Sequence, residues 1–161
     1  MGARIVSLFL YHQAYQRGGS KVKIDKYEFP DDLYYDAEHN WARVEGDVVV
    51  QGLNDLGQDL AGELVYVEVP RTGRKVEQGK PFMSMESGKW VGRVKAIVSG
   101  ELVEANEEIE WEATLVNTSP YDEGWLVKIK ADDLSELDNL MRPTDDKFAE
   151  FIAAEREKYD K

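Results

Sequence analysis

The sequence predicts a mainly β protein, built as a barrel or sandwich of short strands with one short internal helix and further helices at the C-terminal end. Two observations support this. Between residues 33 and 130, short alternating or apolar runs are separated by glycine, proline and acidic turns. After residue 132 the apolar residues recur every three to four positions, which is typical of helices.

The strands are predicted in order along the chain. Gly18, Gly19 and Ser20 form a flexible joint, after which Val22 and Ile24 alternate with polar residues as a possible edge strand. The other predicted strands are 33–35, 41–44, 48–52, 64–69, 81–86, 90–98, 101–105 and 125–129.

Three helices are predicted. Asn54 and Asp55 can cap a short one from Leu56 to Leu60, which Gly62 closes. In the tail, Pro143 ends one predicted helix, whose apolar residues are Leu134, Leu137, Leu140 and Met141. Thr144 caps a second predicted helix, whose apolar residues are Phe148, Phe151 and Ile152. The chain is thereby divided into an N-terminal extension (1–30), a body domain (31–131) and C-terminal helices packed on it (132–161).

Composition narrows the function. The chain of 161 residues has no cysteine and only two histidines, His12 and His39, so thiol chemistry, zinc sites and Ser-His-Asp catalysis have little to build on. We predict no metal site, and we interpret the acidic run 107–112 as a solvated loop anchored by Ile109 and Trp111. The chain is expected to be a monomeric cytoplasmic protein, not itself an enzyme.

The charge distribution predicts which partners are excluded. The formal net charge is −12, and residues 1–24 hold four basic and no acidic side chains, so residues 25–161 carry −16. Such a body repels nucleic acid and anionic membrane and favours basic protein partners. No apolar run approaches the length of a membrane span.

Lys89 lies between two strand-like runs that mirror each other. Gly79 precedes it by ten residues and Gly100 follows it by eleven. Ser87 and Gly88 provide the small residues that a tight hairpin needs, so the lysine is predicted to project into solvent at the tip. A lysine in this position is a substrate for a modifying enzyme.

Around this lysine the chain resembles the H proteins of the glycine cleavage system, which are related to the biotinyl/lipoyl "hammerhead" domains. The resemblance extends over about residues 33–142, and the matching residues are His39-x-Trp41-x-Arg43-Val44-x-Gly46, Asp55-x-x-Gln58-x-x-x-Gly62, Glu86-Ser87-x-Lys89, Val98-Ser99-Gly100-Glu101, Ser119-Pro120-Tyr121 and Gly124-Trp125-x-x-Lys128.

The resemblance implies a flattened barrel or sandwich of the hammerhead type for residues 31–131. It further implies that lipoate is amide-linked to Lys89, and that Glu86 and Gly100 belong to the surface that a lipoate-attaching ligase or transferase reads, with Ser87, Gly88 and Trp90 flanking the lysine. The polypeptide would supply the stalk, the docking surface and a resting cleft for the arm, and lipoate would supply the redox-active sulfur.

Three positions depart from the family pattern. Asn40 stands where the family has the glutamate of its His-Glu-Trp motif, Leu60 where it has a histidine, and Arg93 where it has an acid. Carboxylates near the arm would favour a cationic aminomethyl cargo, so their loss weakens the reason for that cargo to rest here. His39, Leu60 and Arg93 are therefore the candidate cleft residues.

The residues after Lys89 set the predicted cargo. Glu86-Ser87-Gly88-Lys89-Trp90-Val91-Gly92 is similar to the H-like lipoate-binding proteins that work with a heterodisulfide-reductase-like complex in sulfur oxidation. This predicts an arm that shuttles sulfur intermediates or electrons. The alternative is an aminomethyl carrier whose partners are the glycine cleavage P, T and L proteins.

Other interpretations stay open. The chain could be an interaction module that lacks the cofactor, whereas a biotin carrier is disfavoured because Gly88 and Trp90, not methionines, flank the lysine. His39 is either functional or a packed histidine with a satisfied hydrogen bond. Trp41, Trp111 and Trp125 are predicted to be core residues, and Trp90 is predicted to contact a partner or line the cleft.

Overall fold

The structure, a computed structural model, describes residues 20–159. The predictions for residues 1–19 and His12 therefore lie outside the described residues. Residues 20–30 form a hairpin of two antiparallel strands, β1 (Lys21–Ile24) and β2 (Tyr27–Pro30). The strand predicted around Val22 and Ile24 is confirmed, and its partner β2 was not predicted.

The larger sheet has six strands, in which every neighbouring pair is antiparallel. Its members in chain order are β3 (Tyr34–Tyr35), β4 (Asn40–Glu45), β5 (Val48–Leu53), β7 (Lys75–Val76), β10 (Gly100–Ala105) and β11 (Val127–Ala131). In space they lie in the order β3-β4-β5-β11-β10-β7.

The smaller sheet has three antiparallel strands in the order β6-β8-β9, where β6 is Leu64–Val67, β8 is Pro81–Ser87 and β9 is Val91–Lys95. The mirrored strands on either side of Lys89 are thus confirmed as β8 and β9. The prediction that the second strand reaches Val98 is wrong, because β9 ends at Lys95. Residues 96–98 are buried and cross towards the larger sheet, with Ala96 in an isolated bridge to Gln78.

The predicted internal helix is confirmed as α1 (Asp55–Ala61). The Asn54 side chain accepts a hydrogen bond from the backbone N–H of Gly57 at 2.8 Å, and Gly62 ends the helix with a positive φ of 85°. A four-residue helix, α2 (Glu108–Trp111), lies in the acidic run that was predicted to be a loop, and a second, α3 (Leu115–Thr118), follows it where no element was predicted.

The C-terminal segment differs partly from the prediction. The residues expected to form its first helix make a 3-10 helix over Leu134–Asn139, and Leu134 is exposed. The second predicted helix is confirmed as α4 (Asp146–Tyr159), with Phe148 and Ile152 buried. None of the helices among residues 20–159 is long and apolar enough to cross a membrane.

The fold is mainly β, as predicted: a flattened sandwich in which neither sheet closes on itself within the described residues. One core cluster lies between the sheets and includes Met83, Met85, Val127 and Ile129. A second cluster joins the β1–β2 hairpin and α4 to the outside of the larger sheet through Tyr27, Phe29, Tyr35, Trp41 and Phe148.

Gln51 links the two sheets. This fully buried β5 side chain donates a hydrogen bond to the Lys95 carbonyl at 2.9 Å and accepts one from the Ile97 N–H at 2.9 Å. Both groups lie where the chain leaves β9. Because a buried β5 amide thereby pairs with backbone groups at the end of β9, Gln51 fixes the small sheet on the large one.

Candidate functional site

Lys89 lies in the turn that connects β8 and β9, and its side chain is exposed. The backbone N–H of Ser87 donates to the Trp90 carbonyl at 2.7 Å, which closes the hairpin on both sides of Gly88 and Lys89. The predicted position of the lysine at the hairpin tip is therefore what the structure shows.

The turn is shaped by Ser87 and not by a left-handed glycine. The hydroxyl of Ser87 donates to the Ala61 carbonyl at 2.5 Å and accepts from the Lys89 N–H at 3.2 Å. Gly88 is exposed and is not among the glycines with positive φ, so it serves the turn as a small residue and not through a left-handed conformation. Through Ser87, the C-terminal end of α1 holds the tip of the hairpin.

The Lys89 side chain lies across Gly62. A Cβ added at Gly62 would come within 2.6 Å of Lys89 Cε, so the helix end leaves room for the lysine stem. Lys89 also borders a cavity of about 280 Å³, whose other lining residues are Lys26, Tyr27, Asp59, Leu60, Arg156 and Tyr159. The lysine is thus accessible at the surface and has a pocket directly alongside.

A second cavity, of about 220 Å³, shares Leu60 and Tyr159 with the first. The structure brings all three predicted cleft residues, His39, Leu60 and Arg93, into the lining of this cavity together with Trp90. Leu60 and Tyr159 therefore lie between the two cavities, of which one is lined by Lys89 and the other by Trp90.

Trp90 is half-buried and lies over its own strand. A Cβ added at Gly92 would come within 1.9 Å of the Trp90 indole, so only a glycine at this position lets the ring fold back onto β9. The indole also packs against the main core cluster. Of the two roles predicted for Trp90, lining the cleft is the one that its position favours.

His39 has an unusual environment. Its backbone has a positive φ of 68°, its ring stacks on Phe151, and its Nε2 is 2.9 Å from a carboxylate oxygen of Glu155 in α4. Burial lowers the pKa of His39, and the Glu155 carboxylate opposes that effect. Its buried Nδ1 has no hydrogen-bond partner among residues 20–159, whereas Nε2 is paired with Glu155, so the structure shows a packed histidine with one ring nitrogen partnered, and a functional role for His39 stays a prediction.

Asp36 is hydrogen-bonded to Asn40, which lines the same cavity as His39. Its carboxylate accepts hydrogen bonds from the backbone N–H groups of Glu38 and Asn40 and from the Asn40 side chain, at 2.8–3.0 Å. Burial nevertheless raises the pKa of Asp36 to about 6, because the loss of solvation outweighs these bonds. Asn40, the residue that departs from the family pattern, is thus turned towards Asp36.

Glu86 is exposed on the outer face of the small sheet. It is paired across the strands with Tyr66 on β6 and Val91 on β9, which are 50% and 75% exposed. Residues paired in this way point to the same face of a sheet. A row of one aromatic, one acidic and one aliphatic side chain therefore lies directly behind the lysine turn.

Gly100 is buried at the start of β10 and borders neither cavity. A Cβ at this position would come within 2.1 Å of the Lys130 carbonyl oxygen. The structure thus supplies a packing reason for the glycine, and it does not bring Gly100 to the other predicted site residues.

The other three tryptophans differ in how deeply they are buried. Trp41 is fully buried and Trp125 is half-buried, but Trp111 is 86% exposed, so its assignment to the core is wrong. Trp111 ends the short helix α2, where Ile109 alone is buried. A four-residue helix has one inward position, and Ile109 occupies it.

Sequence reasoning missed five of the residues that border the lysine cavity: Lys26, Tyr27, Asp59, Arg156 and Tyr159. Alternation of Tyr27 and Phe29 with Glu28 was a signal for β2 that could have been used. The contribution of α4 had no local signal, since Arg156 and Tyr159 reach the cavity only through tertiary packing. Within residues 20–159, no group of three or more His, Cys, Asp or Glu side chains is placed to hold a metal ion.

Comparison with known proteins agrees with this geometry. The family model described as "Glycine cleavage H-protein" matches residues 33–154. The "Probable glycine cleavage system H protein 2" of Saccharolobus solfataricus is 44% identical over 135 residues, covering 80% of this chain and 91% of that protein. The "Glycine cleavage system H protein" of Staphylococcus carnosus is 43% identical over 123 residues, covering 76% and 96%.

A solved structure gives the same result. The crystal structure of a glycine cleavage system H protein from Mycobacterium marinum superposes with a TM-score of 0.68 at 28% identity, covering 79% of this chain and 98% of that one.

The fold and the exposed hairpin lysine define a carrier domain of the lipoyl class. The chain belongs to the glycine cleavage H-protein family. Proteins of this family are carriers, not catalysts, and bear lipoate covalently on a lysine. The residues present fit that group, because an exposed lysine borders a pocket and lies against a glycine that makes room for its stem.

Proposed function

We propose that this chain is a lipoyl carrier of the glycine cleavage system, that Lys89 bears the lipoyl group in amide linkage, and that the arm carries an aminomethyl group between the P, T and L proteins. One observation carries the proposal: Lys89 is exposed in the turn between β8 and β9, and its stem lies across Gly62 beside a cavity. The bound lipoate supplies a disulfide that opens and closes.

The protein's own residues position that arm. Ser87 ties the turn to the end of α1, so the attachment point is fixed relative to both cavities. Leu60 and Tyr159, which border both, provide a continuous wall for an arm that pivots at Lys89. The site presents and shelters a group, and the chemistry takes place in the partner enzymes.

The row of Tyr66, Glu86 and Val91 is the surface that we propose for the lipoate-attaching enzyme. That enzyme has to bring the Lys89 amine into its own active site, so its footprint has to include the hairpin itself. Partners that act on the end of a long arm can dock farther away. Two exposed apolar side chains around a carboxylate suit a partner surface with a cation set among apolar residues.

The cargo is the finer part of the proposal. The names of the curated relatives favour glycine cleavage, and they give no support to the sulfur-oxidation role. The carboxylates that line the two cavities do not add to this argument, because Asp59 is already paired with Lys26 and Glu38 with Lys95.

A second candidate, the relay of sulfur intermediates with a heterodisulfide-reductase-like complex, is favoured by one specific observation. Arg93 and Trp90 border the same cavity as His39 and Leu60, and the family pattern has an acid where Arg93 stands. A guanidinium and an indole favour a neutral or anionic adduct over an ammonium group.

Loading experiments separate the two cargoes. Lipoylated protein is incubated with glycine and a glycine decarboxylase P protein, or in parallel with a sulfane-sulfur donor, and the intact mass is measured. The lead proposal expects glycine-dependent mass gain on the wild type and none on Lys89→Arg. The variant Arg93→Asp, which restores the family acid, is expected to load faster. Sulfur loading without glycine-dependent loading would establish the second candidate instead.

A further inference from the structure

We infer that the β1–β2 hairpin and the last turn of α4 build a resting site for the unloaded end of the Lys89 arm. This inference rests on the proposed lipoylation of Lys89 but not on the cargo. The family match covers residues 33–154, so the hairpin and residues 155–159 both lie outside it. Both parts of the site are therefore additions to the segment that the family model matches.

The two additions both line the cavity beside Lys89. The hairpin contributes Lys26 and Tyr27, and α4 contributes Arg156 and Tyr159. The floor comes from α1, through Asp59 and Leu60. Since the Lys89 stem already lies across Gly62 at the end of that helix, the arm is directed towards this cavity.

Polar contacts hold the additions together. Arg156 forms an ion pair with Asp25 at the hairpin turn, and its guanidinium lies 5.2 Å from the centre of the Tyr27 ring. The Tyr27 hydroxyl donates a hydrogen bond to Asp59 on α1. Glu155, the neighbour of Arg156, contacts His39 in the second cavity. Hairpin, α1 and α4 thus form one connected wall.

The wall suits a neutral ligand. Lys26 lies 3.6 Å from Asp59, and Arg156 pairs with Asp25, so each cation has its own carboxylate. The Lys89 charge disappears once its amine is acylated. A charged cargo would have to compete with these pairs, whereas a neutral disulfide or dithiol would contact the half-exposed ring of Tyr159 without disturbing them. The ligand class is accordingly the neutral, sulfur-containing end of the arm.

The chain itself provides a clean assay. It has no cysteine, so the thiols of a reduced arm are the only thiols in the lipoylated protein. The arm is reduced with a phosphine, and the rate of alkylation by iodoacetamide is followed by intact mass. The test variant is Lys26→Ala with Tyr159→Ala. The matched control is Lys75→Ala with Trp111→Ala, which removes a lysine of similar exposure and an exposed aromatic away from the cavity.

We expect the test variant to be alkylated about fivefold faster than the wild type, because a fivefold change corresponds to the loss of about 1 kcal/mol of contact with the arm. The control variant should be alkylated at the rate of the wild type. Asp25→Asn, which tolerates the positive φ of 58° but removes the charge that holds Arg156, should give a smaller increase. Equal rates in all four folded proteins would overturn the resting site alone. A Lys89 that gains no lipoyl mass would overturn the proposed function with it.

Discussion

Replacing Ser87 with alanine tests how the lysine turn is held. The substitution removes the hydroxyl of a residue that is 9% exposed, together with its hydrogen bonds to the Ala61 carbonyl and from the Lys89 N–H. Each such bond contributes about 0.5–1.5 kcal/mol net, and a buried carbonyl left without a donor adds about 1 kcal/mol or more. We therefore expect Ser87→Ala to lower the free energy of unfolding by about 2 kcal/mol.

Thermal denaturation gives the first measurement. For a chain of this size, about 2 kcal/mol corresponds to a fall in Tm of about 4–8 °C. The control is Ser84→Ala, a half-buried serine three residues earlier on β8, which is expected to change Tm by less than about 2 °C.

The second measurement is the initial rate of lipoylation at a temperature where both variants are folded. Loss of the bond to α1 should free the turn and slow the attachment to Lys89, while Ser84→Ala should match the wild type. A Ser87→Ala protein with unchanged Tm would refute the reasoning that Ser87 fixes the hairpin on α1.

Three further substitutions probe other parts of the account. Gln51→Leu keeps the volume but leaves the Ile97 N–H without its partner and the Lys95 carbonyl with only the longer hydrogen bond from the Asn40 side chain, at 3.4 Å. Urea denaturation should therefore show a loss of about 2 kcal/mol, and a loss below about 0.5 kcal/mol would contradict the bridging role. Asp36→Asn removes a carboxyl whose pKa is raised to about 6 in the folded protein. Because the folded state binds this proton more tightly than the unfolded state, Asp36 stabilises the fold at low pH and loses that contribution as the pH rises through 6. The free energy of unfolding of the wild type relative to the variant should therefore fall by about 2 kcal/mol from pH 4 to pH 7. A difference that is flat or rises with pH would show that the burial argument fails. Trp90→Ala should impair transfer to partner enzymes more than it lowers Tm, and a large Tm loss with normal transfer would make Trp90 a core residue.

Local signals were sufficient where neighbouring residues determine the structure. Asn54 and Gly62 cap α1 through contacts within a few residues, and they delimited the helix correctly. The lysine turn was predicted for the same reason, although the side chain that shapes it proved to be Ser87. The row of Tyr66, Glu86 and Val91 needs strand register, which local sequence does not specify.

Packing over long sequence separations explains what was missed. Glu155 contacts His39 from 116 positions away, and no periodicity in either segment indicates it. The prediction placed Trp111 inside because apolar residues anchor acidic loops, but the short helix α2 could bury only Ile109. The division into domains at residues 30 and 131 stays a prediction.

The central claim is that Lys89 bears the arm, and intact-mass measurement tests it most directly. The full chain is produced with lipoate and a lipoate-attaching enzyme, beside Lys89→Arg and the matched exposed variant Lys80→Arg, whose lysine lies before the same hairpin. We expect one lipoyl increment on the wild type and on Lys80→Arg, and none on Lys89→Arg. An increment that persists in Lys89→Arg, or a wild type that gains none, would contradict the account.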